Sequence, residues 1–329
     1  MKISGKNVLV TGASGFIGSH LTERLVRLGS KVRAFVRYNS RDLLGLLKYL
    51  PKDIIKEIDI FQGDIRDPFA IKKAMSGQEV VFHLAALIAI PYSYRAPHSY
   101  IETNIIGTLN LMEASLEKNI EKLIHSSTSE CYGTARYVPI DEGHPLQGQS
   151  PYSASKIGAD MLAESYHRSF KLPVAIIRPF NTFGPRQSLR AIIPNIVIQG
   201  LSDNIIKLGN LFTTRDFNFV SDTVEGFIKV AECDKSIGET INVGSGVEIS
   251  IVDLVNKIGK FLNRQLTINS EEIRRRPRES EVIRLVCNNR KAQQMINWES
   301  RVSIDQGLNI TIDWMKENRE LFNKDLYAI

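Results

Sequence analysis

The chain has 329 residues, of which 43% are hydrophobic and 24% are charged, as is typical of a globular protein. No apolar run approaches the roughly 20 residues that a membrane-spanning helix requires, so no membrane partner is expected. The net charge is +6, and most of the basic residues are interspersed with acidic ones. The exception is the run RRRPR at residues 274–278, which is typical either of a solvated loop or of a phosphate contact.

Short apolar strands alternate with helical stretches along the first half of the chain. Residues 7–11 predict a buried strand, and residues 16–28 carry apolar side chains at helical spacing up to Gly29, a typical helix end. Further strands are predicted at residues 31–36, 59–62, 80–84, 122–127 and 174–178, and further helices at residues 41–50, 100–119 and 153–170. This alternation predicts an α/β protein with a doubly wound parallel sheet.

The regular alternation ends at Pro179. Beyond it, loops rich in Asn, Gly, Pro and Arg are mixed with short helices and strands. This pattern predicts a smaller second domain over the carboxyl edge of the sheet, where α/β enzymes bind ligands. We expect residues 1–180 together with 215–241 to form the first domain, and residues 181–214 together with 242–329 to form the second.

The cysteines and histidines give no sign of a disulfide framework or a metal site. Cys131, Cys233 and Cys287 lack CxxC spacing, and the histidines lack HxxxH or HExxH spacing, so no metal is expected. The N-terminal residues lack the long apolar segment and the small-residue cleavage site of a signal peptide. A cytoplasmic protein is therefore expected.

The sequence TGASGFIG places three glycines between the first predicted strand and the first predicted helix. Among Gly12, Gly15 and Gly18, one glycine permits the tight turn, another lets the backbone approach a pyrophosphate, and a third allows close packing. The helix N-terminus that follows supplies partial positive charge. The order of strand, loop and helix predicts a dinucleotide-binding loop, with a purely structural turn as the alternative.

Two residues near the ends of the next strands bear on the adenosine half of such a cofactor. NAD-binding proteins normally carry an acidic residue about 20 positions after the loop, where it binds the ribose. Here Arg37 is near that position, and an arginine there can meet the 2′-phosphate of NADP, stack on adenine or point to solvent. Asp64 can accept from the adenine amino group or cap a turn. The loop therefore does not choose between NAD and NADP.

The segment SPYSASK places Tyr152 and Lys156 one helical turn apart on one helix face. An ammonium group beside a phenol stabilises the phenolate and lowers a pKa that is normally about 10. Such a tyrosine can take a proton from a substrate hydroxyl while a nicotinamide accepts the hydride. With the glycine loop and the Ser/Thr cluster at residues 126–129, the pair predicts redox catalysis.

In these motifs and in their order, the chain resembles the nucleotide-sugar branch of the extended short-chain dehydrogenases/reductases, the NAD-dependent epimerase/dehydratase family. The resemblance covers nearly the whole chain through TGASGFIG, GDIRD, FHLAA, STSECYG, YSASK, RPFNTFGP, RDFNFV and RPRESE, in that order. It implies a Rossmann domain with a smaller C-terminal domain that binds the nucleotide sugar. It implies NAD, with NADP not excluded, and makes nucleic acid an unnecessary partner.

The resemblance also implies which residues form the sites. The cofactor would contact Gly12, Ser14, Gly15, Phe16, Ile17, Gly18, Arg37, Asp64, Ile65, Leu84, Ala85, Ala86, Tyr152 and Lys156. The substrate would contact Ser93, Thr128, Asn181, Arg190, Arg215 and Arg276, with Arg276 at its diphosphate. A homodimer or higher homo-oligomer is expected, because the two long helices at residues 100–119 and 153–170 commonly pair across a dimer in this family.

The segment STSE decides which reaction follows the shared oxidation of the sugar at C4. By resemblance, Thr128 would hydrogen-bond the 4-oxygen, and Glu130 would remove the C5 proton so that the 6-hydroxyl leaves. Glucose-nucleotide 4,6-dehydratases carry an aspartic acid that protonates this hydroxyl, and here Ser129 takes its place. A serine is a poor acid, so Glu130, a water molecule or another group would supply that proton.

Several reactions therefore stay open. We favour a UDP-N-acetylglucosamine 4,6-dehydratase that retains the C5 configuration, by resemblance of residues 84–94 and of the STSE and RPFN segments. A GDP-N-acetylglucosamine 4,6-dehydratase and a UDP-glucuronate decarboxylase, which shares Thr-Ser-Glu, are alternatives. A non-catalytic dinucleotide sensor is a fourth. For Cys131 a buried apolar role is favoured over a nucleophile, and for His83 packing or a hydrogen bond is favoured over catalysis.

Overall fold

The computed structural model describes residues 1–38 and 43–322 of the chain. The strands are β1 (Asn7–Thr11), β2 (Lys31–Arg37), β3 (Ile58–Gly63), β4 (Val80–His83), β5 (Lys122–Ser126), β6 (Val174–Pro179), β7 (Asn181–Phe183), β8 (Ile205–Leu208), β9 (Thr214–Phe219), β10 (Thr240–Val243), β11 (Glu248–Ser250) and β12 (Thr267–Ser270). The α-helices are α1 (Phe16–Arg27), α2 (Lys52–Lys56), α3 (Pro68–Ala74), α4 (Ile90–Arg95), α5 (Pro97–Tyr100), α6 (Gly107–Lys118), α7 (Pro151–Phe170), α8 (Ile192–Ser202), α9 (Val220–Glu232), α10 (Ile251–Leu262), α11 (Arg290–Ile296) and α12 (Ile304–Glu317).

A seven-stranded sheet in the order β10-β6-β5-β4-β1-β2-β3 forms the centre of the fold, and all its neighbouring strands are parallel. Apolar side chains cover both faces, as a parallel sheet requires. Leu9 and Leu123 pack with Leu111 of α6 on one face, and Val10 and Phe82 pack with α1 on the other. The predicted α/β doubly wound Rossmann sheet is confirmed.

Two small sheets lie outside the central one. Strands β11, β9 and β7 form a three-stranded sheet, and β12 pairs in parallel with β8. Strand β9 therefore does not belong to the seven-stranded sheet, although residues 215–241 are assigned to the first domain by the sequence. Strand β10, from the same stretch, does join that sheet beside β6.

The predicted helices differ from the structure at two places. Residues 41–42 of the predicted helix at 41–50 lie outside the described residues, and the remainder forms a short 3-10 helix at Gly45–Tyr49. The predicted helix at residues 100–119 starts as a π-helix, Ile101–Ile106, before α6. A π-turn inside a helix is often found at functional sites, and the buried Asn104 lies within it.

Helix α7 has local signals that define its start and its end. Ser150 and Ser153 form a capping box, Pro151 occupies the first turn, and Lys171 closes the helix in the left-handed conformation. The 20-residue helix then places Tyr152, Lys156 and, one turn further, Asp160 on its buried side.

Candidate active site

A cavity of about 760 Å³ opens at the carboxyl ends of the central strands. It is lined by the glycine loop, by the ends of β3, β4 and β5, by α7, and by segments from the second half of the chain. The predicted residues that line it are Gly12, Ser14, Gly15, Phe16, Ile17, Gly18, Arg37, Asp64, Ile65, Leu84, Ala85, Ala86, Thr128, Ser129, Glu130, Tyr152, Lys156, Asn181, Arg190, Arg215 and Arg276. The fold thus brings together residues that the sequence separates by more than 200 positions.

The glycine loop forms a cradle that side chains would fill. Gly12 has a φ of +72°, and a Cβ there would lie 2.7 Å from the backbone nitrogen of Ala85. A Cβ on Gly18 would collide with the Gly12 carbonyl oxygen. Gly15 caps α1 without offering a side chain to its first turn. The backbone and the helix N-terminus are therefore open to an anionic group, which fits the pyrophosphate of a dinucleotide.

At the end of β3, Asp64 lines the cavity near two arginines, Arg37 and Arg66. The Arg66 guanidinium donates to Asp64 at 2.7 Å, and this hydrogen bond, together with the charges of Arg66 and Arg37, holds the pKa of the Asp64 carboxyl below its usual value. Asp64 is therefore available as an ionised acceptor. Arg66 lines the cavity but was not among the residues predicted from the sequence.

Tyr152 and Lys156 lie at the floor of the cavity and are 7% and 4% exposed. The Lys156 ammonium donates to the carbonyl oxygen of Ser126 at 2.7 Å. Burial raises the pKa of Tyr152 above its usual value, and a hydrogen bond with Thr128 only partly opposes this. The lowering of the phenol pKa by Lys156 stays a prediction, and in the structure burial acts on Tyr152 in the opposite direction.

The segment after β5 carries three of the predicted catalytic residues. Thr128 caps the short 3-10 helix Ser129–Tyr132 and accepts from the backbone N–H of Glu130. Glu130, Tyr152 and Arg215 line the same cavity, and the charge of Glu130 raises the pKa values of both Tyr152 and Arg215. The cavity therefore contains a carboxylate as well as the tyrosine.

The opposite wall of the cavity is positively charged. Arg215 and Arg276 each lie 3.7 Å from one oxygen of Glu281. Burial lowers the pKa of Arg215, and the Nη1 of Arg276 is buried without a hydrogen-bond partner. The Asn181 side-chain oxygen is likewise buried and lacks a partner. The unsatisfied Arg276 donor beside a second guanidinium group fits an anionic ligand such as a diphosphate, whereas the Asn181 oxygen is an acceptor and fits a hydroxyl or N–H group of a ligand.

Three predictions about single residues have different outcomes. Ser93 is fully buried, its hydroxyl donates to the carbonyl of Ile90 at 2.7 Å, and it does not line the cavity. Burial raises the pKa of the Cys131 thiol to about 12, which fits the buried apolar role. His83 is buried and hydrogen-bonds Thr11 and Thr108 through its two ring nitrogens.

Asn104 is a residue that the sequence analysis missed. Its side chain accepts from the backbone N–H of Leu87 and donates to the Leu87 carbonyl and to Ser155, with distances of 2.8–2.9 Å. It thereby joins the loop after β4 to α7, next to Lys156. An asparagine within an apolar helical stretch is a signal that could have found it, because a buried amide requires partners.

The family comparison supports these observations. A family model described as "GDP-mannose 4,6 dehydratase" matches residues 9–311. The chain belongs to this family. No helix within residues 1–38 and 43–322 of this family member is long and apolar enough to cross a membrane.

The matches to similar proteins cover almost the whole of this chain. A dTDP-glucose 4,6-dehydratase of Streptomyces antibioticus is 30% identical, over 95% of this chain and 93% of that protein. A UDP-glucuronic acid 4-epimerase of Bacillus cereus, solved with UDP-glucuronic acid and NAD, has a TM-score of 0.85 with 28% identity, and covers 95% of this chain and 99% of its own.

A third similar protein acts on an amino sugar. TunA, described as a NAD-dependent NDP-hexosamine 5,6-dehydratase, has a TM-score of 0.84 with 26% identity, and the match covers 95% of this chain and 98% of that one. The protein described here is therefore an NAD-dependent enzyme of the nucleotide-sugar dehydratase and epimerase family.

Proposed function

We propose that this enzyme is a UDP-N-acetylglucosamine 4,6-dehydratase, which forms UDP-4-keto-6-deoxy-N-acetylglucosamine and retains the C5 configuration. The observation that carries the proposal is the position of Glu130, which lines the same cavity as Tyr152, Thr128 and Arg215. A carboxylate beside the redox tyrosine can remove a proton from the carbon next to a newly formed ketone. Simple oxidation and return of hydride would not need this base.

The residues take separate roles in this reaction. Tyr152 accepts the proton of the sugar 4-hydroxyl, and Thr128 hydrogen-bonds the same oxygen. Bound NAD would supply the hydride chemistry, which is acceptance of the hydride from C4 and its return to C6. Glu130 removes the C5 proton, which the ketone has made acidic, and the protonated Glu130, or a water molecule, gives a proton to the 6-hydroxyl so that it leaves as water. A proton then returns to C5 when the hydride returns to C6. Arg215 and Arg276 bind the diphosphate through charge-assisted hydrogen bonds.

The domain assignment is part of the same proposal. Residues 1–180 with 215–241 would hold NAD, and residues 181–214 with 242–329 would hold the nucleotide sugar, except that β9, which carries Arg215 and pairs with β7 and β11, would belong to the sugar-binding part. In support, the cavity is lined at one end by the glycine loop and at the other by residues such as Lys207 and Arg276.

The reaction can be tested with the purified protein and UDP-N-acetylglucosamine. We expect a product lighter by one water, formed without net accumulation of reduced nicotinamide, because the hydride that leaves C4 returns to C6. Mass spectrometry and nicotinamide absorbance measure the two quantities. An unchanged substrate, or a product of the same mass, would overturn the dehydratase proposal in favour of another substrate or of epimerisation.

A GDP-sugar is the second candidate substrate, because the matching family model is described as a GDP-mannose dehydratase. GDP-N-acetylglucosamine and UDP-N-acetylglucosamine should therefore be compared in the same assay, and the higher kcat/KM identifies the base. UDP-glucuronate is a third arm, because the segment Thr128–Ser129–Glu130 also fits a decarboxylase. Release of CO₂ from it, with both amino sugars inert, would favour that reaction.

We also propose that the enzyme forms a homodimer through the π-helix, α6 and α7. These helices carry apolar side chains that are 42–45% exposed at Ile101, Ile106 and Met161. Burying them in a second copy would remove apolar area from water. We expect Met161→Arg to give monomers by light scattering, whereas Phe69→Arg, at an exposed apolar position on α3, leaves the mass unchanged. A wild-type monomer would overturn the proposal.

A further inference from the structure

A group of buried polar side chains lies directly beneath Tyr152 and Lys156. We call it the Asp160 cluster, and it consists of Asp160, Ser127, His125 and Arg178. Asp160 comes from α7, Ser127 from the turn after β5, His125 from β5 and Arg178 from β6. All four are between 0% and 6% exposed. Burying charged groups is costly unless each has partners, so such a cluster calls for an explanation.

Asp160 is the centre of this cluster. One carboxylate oxygen accepts from the Ser127 hydroxyl at 2.6 Å and from the Arg178 guanidinium at 2.9 Å and 3.2 Å. The other oxygen lies 3.2 Å from His125 Nε2. Although burial alone would raise it, His125 and the charges of Arg178 and Lys156 lower the pKa of Asp160 to about 2. Asp160 is therefore a carboxylate throughout the working pH range.

The same aspartate faces the catalytic lysine. Burial lowers the pKa of Lys156, and the charge of Asp160, one helical turn away, opposes this most strongly. The other titratable groups near Lys156 are Tyr152, one turn earlier on α7, and Cys131, His83 and His125, while the charged Arg178 is paired with Asp160 at 2.9 Å. Burial favours the neutral forms of the tyrosine, the thiol and both histidines, because it raises the pKa of the first two and lowers that of the histidines. Asp160 thus carries the negative charge among these groups, and its spacing of four residues places it on the same buried side of α7 as Lys156.

We propose that Asp160 is a positioning residue that keeps the Lys156 ammonium charged and holds the turn carrying Thr128 against α7. Two contacts carry this inference. Ser127, which Asp160 binds, directly precedes Thr128, and Lys156 donates to the carbonyl of Ser126 in the same turn. The inference rests on the roles given to Tyr152 and Lys156 in the proposed function, but it does not depend on which nucleotide sugar is the substrate.

The test compares three substitutions in the full-length protein. Asp160→Asn removes the charge and keeps the size of the side chain, whereas Asp160→Glu keeps the charge. Tyr132→Phe is the matched control. It deletes the hydrogen bonds of the Tyr132 hydroxyl with Arg178 and Asn242 without changing any charge.

The first measurement is the ionisation of Lys156, followed by competitive acetylation over a range of pH and mass spectrometry, without substrate. Because a neutral amine is acetylated and an ammonium is not, the midpoint reports the lysine charge. We expect it to fall by about one pH unit or more in Asp160→Asn and to stay near the wild-type value in Asp160→Glu and Tyr132→Phe. An unchanged midpoint in Asp160→Asn would overturn the proposal.

The second measurement is the pH profile of kcat/KM. The alkaline limb should move to lower pH in Asp160→Asn only, because Lys156 loses its proton earlier. A uniform loss at every pH would indicate a merely structural role and would also contradict the proposal. If Asp160→Asn fails to fold, Asp160→Asn/Arg178→Gln removes both buried charges and takes its place. An inactive wild type would count against the proposed substrate, while the acetylation midpoint still decides the role of Asp160.

Discussion

Replacing Tyr152 by phenylalanine is expected to lower turnover by about a hundredfold to ten-thousandfold, the range typical of removing a general base. The substitution deletes the phenolic oxygen at the floor of the cavity and leaves the ring, which is only 7% exposed, in place. Binding of NAD should persist, because the glycine loop and the end of β3 are untouched. Steady-state kinetics and a NAD-binding titration measure the two effects separately.

Tyr100→Phe is the matched control for this substitution. The centres of the two rings lie 6.2 Å apart. The Tyr100 hydroxyl donates to the carbonyl oxygen of Ala89, so its hydrogen is already engaged within the protein. This variant should keep most of the turnover. Equal losses of turnover in the two variants would mean that the Tyr100 and Tyr152 side chains matter only for packing. Full activity of Tyr152→Phe would exclude Tyr152 as the general base.

The second large effect is expected for Glu130→Gln, which should oxidise the sugar but stall before water is lost. The amide keeps the shape of the side chain and cannot take the C5 proton. Reduced nicotinamide should therefore accumulate to about one equivalent per active site, and dehydration should slow by about a hundredfold or more. Absorbance of the reduced nicotinamide and mass spectrometry of the sugar follow the two steps.

Glu142→Gln is a suitable comparison, because its carboxylate accepts from the backbone N–H of Asn242 at 2.8 Å and a glutamine oxygen can do the same. It should dehydrate the substrate at close to the wild-type rate. Dehydration at the normal rate by Glu130→Gln would exclude Glu130 as the base. Failure of both oxidation and dehydration would instead indicate that Glu130 is needed to bind the sugar.

Both the sequence and the structure argue against Ser129 as the proton donor for the leaving hydroxyl. Ser129 replaces the aspartic acid of the glucose-nucleotide dehydratases, and it is only 2% exposed. A serine hydroxyl is too weak an acid for this role at neutral pH. Because Glu130 holds the C5 proton once it has acted as the base, the same carboxyl group is able to protonate the leaving hydroxyl.

Local patterns predicted much of the fold and the cofactor half of the cavity. The alternation of strands and helices, the glycine loop and the spacing of Tyr152 and Lys156 all depend on backbone geometry within a few residues. The sequence could not predict that Ser93 is buried away from the cavity, because its exposure depends on how α4 packs. It also missed the π-helix, since π- and α-helices share the same apolar pattern over one turn.

The sequence by itself determined the Rossmann sheet, the dinucleotide loop and the tyrosine–lysine pair, because each is encoded by neighbouring residues. Only the tertiary structure decided the environment of that pair. Asp160 reaches Ser127 across 33 positions and Arg178 across 18 positions of the chain. Burial raises the pKa of Tyr152 rather than lowering it. Both results depend on desolvation and on long-range contacts, which exist only once the strands and helices have packed.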